Sequence, residues 1–387
     1  MTETSPARPT VVVIGGGYGG VNVAKSLDDV ADVVLVEPKD SFVHNVAALR
    51  ALVDPSWLPR IYLPYGNLLA SGRVVHDRAA KVDAGTVTLA SGEEIRADYI
   101  VLATGSAYPF PAKSDIDSTA AAHAQVHAAH AALSVAQRVL LLGAGPVGIE
   151  LAGEIKAVWP AKDVTLLDVA GDVLGTRFRP DLKAELRRQL TDIGVRLMLA
   201  SPLREAPPTA PGEVGAFTVV TESGREVAAD IWFRCYGVAP VSDYLAGELA
   251  AARQPDGFVH VTPYLQVTGQ DRVFAVGDVS TADHKMAGLA GRQAQLVAGN
   301  IRAHIAGDAG LTSYQPSPPA IIVPIGPDGG SGQRSGADDL VSADVVAQLK
   351  GRDMMVDRFT ELFGVTGVPA AAGKAAAASK PADAAAD

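Results

Sequence analysis

The chain alternates short runs that are apolar at almost every position with longer amphipathic stretches. VVVI at Val11–Ile14, VVLV at Val33–Val36, YIVL at Tyr99–Leu102, VLLL at Val139–Leu142, DVTLLDV at 163–169 and VFAV at Val273–Val276 are of the first kind. Runs this short without polar alternation predict strands buried on both faces, as in a parallel sheet. The stretches that follow the first and fourth runs, VNVAKSLDDV and VGIELAGEI, carry apolar residues at helical spacing. Strand regularly followed by helix predicts an α/β protein.

Two of these strands end alike. VVVIGGGYGG sets Gly15, Gly17 and Gly20 at G-x-G-x-x-G spacing, and RVLLLGAGPVGIE repeats it with Gly143, Gly145 and Gly148. The first glycine of such a turn permits a tight bend, the second lets a pyrophosphate reach the backbone, and the third lets helix pack on strand. The phosphates then sit on the positive end of the helix. In both units the next strand ends in an acid, Glu37 and Asp168, where a carboxylate accepts ribose hydroxyls. A Gly-rich turn alone is only a turn; strand, helix and terminal acid in order make two dinucleotide sites. YIVLATGS, running into Thr104 and Gly105, and DRVFAVGDVS, running into Gly277 and Asp278, read as further strands of the first unit. The second unit is therefore inserted between the halves of the first. Residues 1–111 and 241–314 form one domain and 112–240 the other. In the remainder, PPAIIVPIGPDGGSGQRSG reads as strand, Gly-rich turn and strand start, and LVSADVVAQLKGRDMMVDRFTELF as helix with one break at Gly351. These make a small C-terminal domain over 315–366, and the alanine-rich residues 367–387 are expected to be disordered.

Composition removes several classes of function. The 387 residues, 48% hydrophobic and 20% charged, suit a globular protein of two or three domains. A net charge of −10 leaves no basic stripe, which excludes nucleic acid as a partner. No apolar run reaches the length of a membrane span, MTETSPARPT lacks a signal core, and Thr2 stands where myristoylation needs glycine. The expected location is the cytoplasm. Met355, Phe359, Leu362 and Phe363 form an apolar stripe beside Arg352 and Arg358. That leaves peripheral contact with the inner face of a membrane open, with core packing the preferred reading; an oligomer also stays open. The single cysteine, Cys235, has no partner for a dithiol relay and reads as a buried structural thiol. His123, His127 and His130 share one helical face, but no glutamate accompanies them, so they read as a solvated face and no metal is expected.

The order of strand, G-x-G-x-x-G, terminal acid, ATG, second G-x-G-x-x-G and FAxGD resembles that of flavoproteins with two dinucleotide sites. DSFVHNVAALRA, AGEIKAVWPAKDVTLL, KMAGLAGRQAQLVAGNI and LKGRDMMVDRF narrow the resemblance to the ferroptosis suppressor protein family, also called apoptosis-inducing-factor-like mitochondrion-associated proteins, relatives of the type II NADH dehydrogenases. It runs from about Val11 to about Phe359 and is vague between Pro202 and Gly215. The fold it implies is a pair of Rossmann-like domains of the glutathione-reductase type, the NAD domain inserted in the FAD domain, with a small α+β C-terminal domain. FAD is implied in the first site and NADH in the second, NADPH being the alternative.

Site residues follow from the same resemblance. Glu150 lies beside the nicotinamide, His44 and Asn45 approach the flavin, and Asp278 accepts a ribityl hydroxyl. Lys285 and Met286 begin a helix facing the flavin pyrimidine. Lys350 stands on the acceptor side, with Pro324, Gly326, Gln333 and Met355 lining a channel. Lys350, Glu150 and His44 are the expected catalytic residues. Plainer readings stand beside these: a first-turn glutamate at Glu150, a loop histidine bonded to a carbonyl at His44, a solvated lysine at Lys285, and a helix C-cap at Lys350 next to Gly351. Relatives that reduce peroxide or oxygen carry a cysteine where this chain reads DSFVHNVAAL, without one. The implied activity is an FAD-dependent NADH:quinone oxidoreductase. A reductase of a ferredoxin-like carrier and a slow NADH-responsive redox sensor are the alternatives.

Overall fold

The computed structural model describes residues 8–308 and 310–365. The readings made for Thr2 and for residues 367–387 lie outside the described residues. The predicted apolar runs pair in parallel in a five-stranded sheet, in the order Val273–Ala275, Tyr99–Leu102, Thr10–Ile14, Asp32–Val36, Arg73–Val75. Val11 lies opposite Val33 on one side and Tyr99 on the other. Such strands are buried on both faces because each face is covered. Helices Tyr18–Leu27 and Ala287–Ala306 pack on one of them. A three-stranded antiparallel meander, Ala79–Asp83, Thr86–Leu89 and Glu94–Arg96, packs Val82, Val87, Leu89 and Ile95 on the other.

The second sheet holds four parallel strands, Val195–Met198, Asp163–Leu167, Arg138–Leu142 and Ile231–Arg234. It lies within the chain between two strands of the first sheet, so one nucleotide-binding unit is inserted in the other, as expected. The outgoing and returning segments pair antiparallel at the crossing, with Ser106 opposite Pro240 and Ala107 opposite Ala239.

The C-terminal strands Ile321–Ile325, Gly329–Gln333 and Leu340–Val341 form an antiparallel sheet. It rests on helices Pro146–Val158 and Pro180–Asp192 of the inserted unit. Gly153 makes that approach feasible, since a Cβ there would fall 2.5 Å from the Gly326 nitrogen. The helical segment that follows breaks later than predicted. Ala347–Gly351 is a π-helical turn, and the reversal comes at Met354 and Met355, both left-handed at φ 52° and 61°. Helix Val356–Leu362 then returns to the first domain, where Phe359 and Phe363 pack at 5.4 and 4.9 Å from Phe42. The apolar stripe thus faces protein: Phe359 and Phe363 are buried and only Met355 is exposed among its members. No helix among the described residues is long and apolar enough to cross a membrane.

Candidate active site

The two glycine turns match at their three glycines. Gly15 and Gly143 sit at φ 100° and 108°, a region that excludes most side chains. A Cβ on Gly20 would lie 1.8 Å from the Gly15 carbonyl oxygen, and one on Gly148 would lie 1.9 Å from that of Gly143, so both helices press on their turns. The middle glycines differ from these: a Cβ on Gly17 or Gly145 would meet no atom within 4 Å. Their absent side chains leave open space in front of the helix N-termini. Among the described residues no side chain caps helix Tyr18–Leu27 or Pro146–Val158, and neither carries an acid in its first turn. Uncapped amides facing a hollow that side chains avoid are what a diphosphate requires, so both turns fit the dinucleotides. The terminal acids are anchored in the same way. Glu37 accepts from the Gly16 amide at 2.6 Å and Asp168 from the Ala144 amide at 2.5 Å, each bond joining the acid to the turn of its own unit.

A cleft of about 760 Å³ starts at the first turn and reaches the inserted unit. Gly15, Gly17, Glu37, Asn45, Thr104, Gly105, Asp278, Lys285 and Met286 line it with Glu150, which brings together most of the residues singled out for the first site, while Gly143, Gly145, Gly148 and Asp168 of the second lie outside it. Gly20 lies behind its wall as a packing glycine. The Thr104 hydroxyl donates to the Val241 carbonyl at 2.6 Å, tying this strand end to the returning segment. Lys285 donates to the carbonyls of Ser280 and Asp283 and lies 4.2 Å from the Phe258 ring, so it is a structured residue, not a solvated one. The uncapped start of helix Ala287–Ala306 opens onto the same wall.

The cleft also holds residues that no motif announced. Lys113 approaches Asp278 to 3.3 Å, and the Ser106 hydroxyl donates to the same carboxylate at 2.6 Å. Tyr65 donates to the Gly16 carbonyl at 2.9 Å from a strand-following turn. The bonds that identify these residues reach across 172 and 49 positions of sequence. No local pattern encodes such distances.

His44 does not reach the cleft: it is wholly buried behind it. Its Nε2 donates to the Met354 carbonyl at 2.6 Å, and its Nδ1 accepts from the Tyr18 hydroxyl at 3.1 Å. The Tyr18 hydroxyl in turn accepts from the Val46 amide at 3.1 Å. His44 therefore links a cleft-lining tyrosine to the left-handed turn of the C-terminal segment. Burial pushes its pKa down to about 4, against the bond to Met354. Because the unfolded chain binds the proton nearer pH 6.5, the neutral form stabilises the fold above that pH, and the contribution disappears as pH falls towards 4. Between pH 8 and pH 5 this amounts to about 2 kcal/mol. Urea unfolding of the parent and of His44→Gln at both pH values is expected to show a smaller pH-dependent loss in the variant. Equal losses would mean that His44 is protonated in the native state.

Glu150 and Lys350 meet each other, although the sequence reading set them on different sides of the flavin. Lys350 Nζ donates to Glu150 Oε1 at 2.7 Å, with the side chains 16% and 9% exposed. One helical turn along, Arg50 holds Glu154 at 2.7 Å and donates to the Gly351 carbonyl at 2.8 Å. Burial pushes the carboxyls of Glu150 and Glu154 up, and Lys350 and Arg50 respectively oppose it. Four charges are thus shared among the first domain, the inserted helix and the C-terminal segment. Only Glu150 among them lines the cleft.

The remaining channel candidates stay apart. Pro324 is buried in its strand, and Gln333 is buried between the Arg179 amide and the Pro319 carbonyl. Gly326 faces helix Pro146–Val158 at a separate hollow of about 550 Å³, and Met355 is on the surface. None of the four lines the main cleft. Two of the three histidines are also not solvated: His123 packs edge-on to Tyr62, and His130 lies against Trp159 and bonds the Leu52 carbonyl. No three metal-ligating side chains converge among the described residues. Cys235 is buried, as expected, with its thiol pushed up to about 12 by burial.

A profile of the pyridine nucleotide-disulphide oxidoreductases matches residues 9–299, which takes in both turns and both sheets. The chain belongs to the pyridine nucleotide-disulphide oxidoreductase family. Among its relatives, ferroptosis suppressor protein 1 of Taeniopygia guttata is 32% identical over 367 residues, 92% of this chain and 96% of the relative. The same protein of Homo sapiens is 32% identical over 358 residues, 89% and 93% of the two chains. Apoptosis-inducing factor homolog B of Dictyostelium discoideum is 27% identical over 374 residues, 91% and 96%. The sulfide:quinone oxidoreductase of Aquifex aeolicus shares the fold at TM-score 0.72 and 17% identity, covering 92% of this chain and 91% of its own. As a pyridine nucleotide-disulphide oxidoreductase by fold and family, this chain is an FAD-dependent oxidoreductase that uses a nicotinamide dinucleotide.

Proposed function

We propose that this chain is an NADH:quinone oxidoreductase that works without a dithiol. The observation that carries the reading is the position of its sole cysteine. Cys235 is buried, is held as the thiol and does not line the cleft, so no protein sulfur relays electrons away from the flavin. A small acceptor that meets the flavin directly suits such a site, and the resemblance to the ferroptosis suppressor proteins and type II NADH dehydrogenases supports a quinone.

When bound, FAD supplies the two-electron chemistry between nicotinamide and acceptor. The chain's residues bind, orient and hold protons. The amides after Gly17 and Gly145 would hold the diphosphates, and Glu37 and Asp168 would accept ribose hydroxyls. Asp278 would accept a ribityl hydroxyl, its Oδ1 being left for this because Ser106 and Lys113 occupy Oδ2. Val43, Val46, Leu49, Pro146 and Val147 give the cleft an apolar wall that limits water. Glu150, which lines the cleft on the side of the inserted unit, would meet the nicotinamide end. Lys350, one hydrogen bond behind it, keeps protons at Nζ for an acceptor that becomes a quinol.

Stopped-flow mixing tests the reading. The enzyme is reduced by NADH and then challenged in turn with ubiquinone and menaquinone analogues and with a ferredoxin. Reoxidation by a quinone as fast as steady-state turnover supports it. Reoxidation by ferredoxin alone, or a reduced enzyme that persists with every acceptor, overturns it in favour of a carrier reductase or a redox sensor.

A further inference from the structure

Lys113 enters the cleft wall just after the chain crosses from the first domain to the inserted one. Its Nζ donates to the Ser106 carbonyl at 2.7 Å and to the Ser106 hydroxyl at 2.9 Å, and it stands 3.3 Å from Asp278 Oδ2. The Lys113 and Asp278 side chains are 29% and 20% exposed, so both are largely withdrawn from water. Among the cations that line the cleft, only Lys113 makes a direct contact with Asp278, although Lys285 also feels its charge. Lys39 and Arg78 pair with Asp117, and Lys285 donates to backbone carbonyls. Asp278 belongs to the turn Gly277–Val279, and the uncapped start of helix Ala287–Ala306 shares its wall.

We propose that Lys113 and Asp278 form an ion pair whose balance sets the reduction potential of the bound flavin. The physical reason is charge. Two-electron reduction at neutral pH leaves negative charge on the flavin ring system, which a nearby ammonium favours and a nearby carboxylate disfavours. Side by side, the two largely cancel. Removing Lys113 leaves Asp278 with only the indirect field of Lys285, and removing Asp278 frees the Lys113 ammonium, in a partly desolvated wall where such fields are screened less than in water. Lys113 therefore keeps Asp278 available to hold FAD without the penalty that a bare carboxylate would impose on reduction. The inference rests on FAD in the first site and is independent of the acceptor.

The test is a redox titration of the FAD-loaded full chain against a dye of known potential, with free FAD in excess. In Lys113→Met the ratio of reduced to oxidised flavin at fixed poise is expected to fall about tenfold, a midpoint lower by about 30 mV for a two-electron couple. Asp278→Asn is expected to move the midpoint the other way, Lys113→Arg to stay close to the parent, and the double variant Lys113→Met/Asp278→Asn to return towards it. A role confined to positioning would change FAD retention and leave the midpoint alone. An unchanged midpoint in Lys113→Met, shifts of the same sign in both single variants, or loss of all FAD from both overturns the proposal. Because no acceptor is present, failure here leaves the quinone reading standing, and failure of that reading leaves this one.

Discussion

Replacing Lys350 with methionine is expected to lower stability by about 3 to 5 kcal/mol at pH 8, the usual cost of removing one partner from a buried ion pair. The variant leaves Glu150, 9% exposed, without the ammonium that opposes its desolvation. A carboxyl in that position takes up a proton more readily than in the unfolded chain. Its raised pKa then stabilises the fold at low pH, an advantage lost as pH rises through the folded value. The deficit of Lys350→Met is therefore expected to shrink between pH 8 and pH 5, opposite in sign to the trend predicted for His44. Glu150→Gln combined with Lys350→Met removes both charges and is expected to recover most of the loss. Urea unfolding of the two variants and the parent at both pH values measures all of this. A double variant as unstable as Lys350→Met would show that the loss comes from packing of the lysine stem and not from the stranded carboxylate.

The same pair limits how the two half-reactions can be separated by mutation. The resemblance places Lys350 on the acceptor side and Glu150 beside the nicotinamide, yet the Lys350 ammonium is bonded to the Glu150 carboxyl, which lines the cleft. A change at either residue then alters the partner of the other, so neither role can be tested by one substitution alone. Arg50, Glu154 and the Gly351 carbonyl extend the coupling to the first domain.

What could be read from the sequence and what could not divide along a physical line. The strands at Val11–Ile14 and Val139–Leu142, the glycine turns and the terminal acids Glu37 and Asp168 are encoded by neighbours in sequence, and the structure forms them as expected. In the meander over residues 79–96 the second and third strands alternate more and less buried positions but the first shifts register between Ala79 and Lys81, and each strand is only three to five residues long, too short to stand out. Lys113, Tyr65 and the Glu150–Lys350 pair depend on contacts between distant segments. Gly326 and Gln333 were drawn into an expected channel by resemblance, whereas helix packing claims the glycine and two backbone groups claim the glutamine. Gly351 looked like a helix breaker. It is instead a packing residue, since a Cβ there would lie 2.5 Å from the Pro327 carbonyl, and the chain reverses at two methionines that no propensity scale would choose.

Preference for NADH over NADPH is expected to rest on Asp168. Its carboxylate cannot swing away from the ribose position easily, because Oδ2 accepts from the Ala144 amide at 2.5 Å and Oδ1 from the Ala170 amide at 2.7 Å. Free lone pairs remain for the two hydroxyls of an NADH ribose, but a 2′-phosphate would bring like charge to the same place. At about 4 Å and an effective dielectric of about 20, each unit of repulsion is about 4 kcal/mol before solvent screening. Half of that surviving is a factor of about 30 in binding. Two cations of the inserted unit, Lys162 and Arg177, are the candidates to offset it, and neither is paired with Asp168 among the described contacts. Lys162 is turned inward, with Nζ donating to the Ser134 and Ala136 carbonyls, and Arg177 is close enough to His284 to oppose its protonation. Asp168→Ser is accordingly expected to raise kcat/KM for NADPH by at least tenfold and to lower it for NADH, since one hydroxyl acceptor is lost while the repulsion disappears. The measurement is kcat/KM for both cofactors in parent and variant at fixed salt. A parent enzyme that uses the two equally well would mean that the Asp168 carboxylate is fully engaged by its own turn and does not meet the ribose.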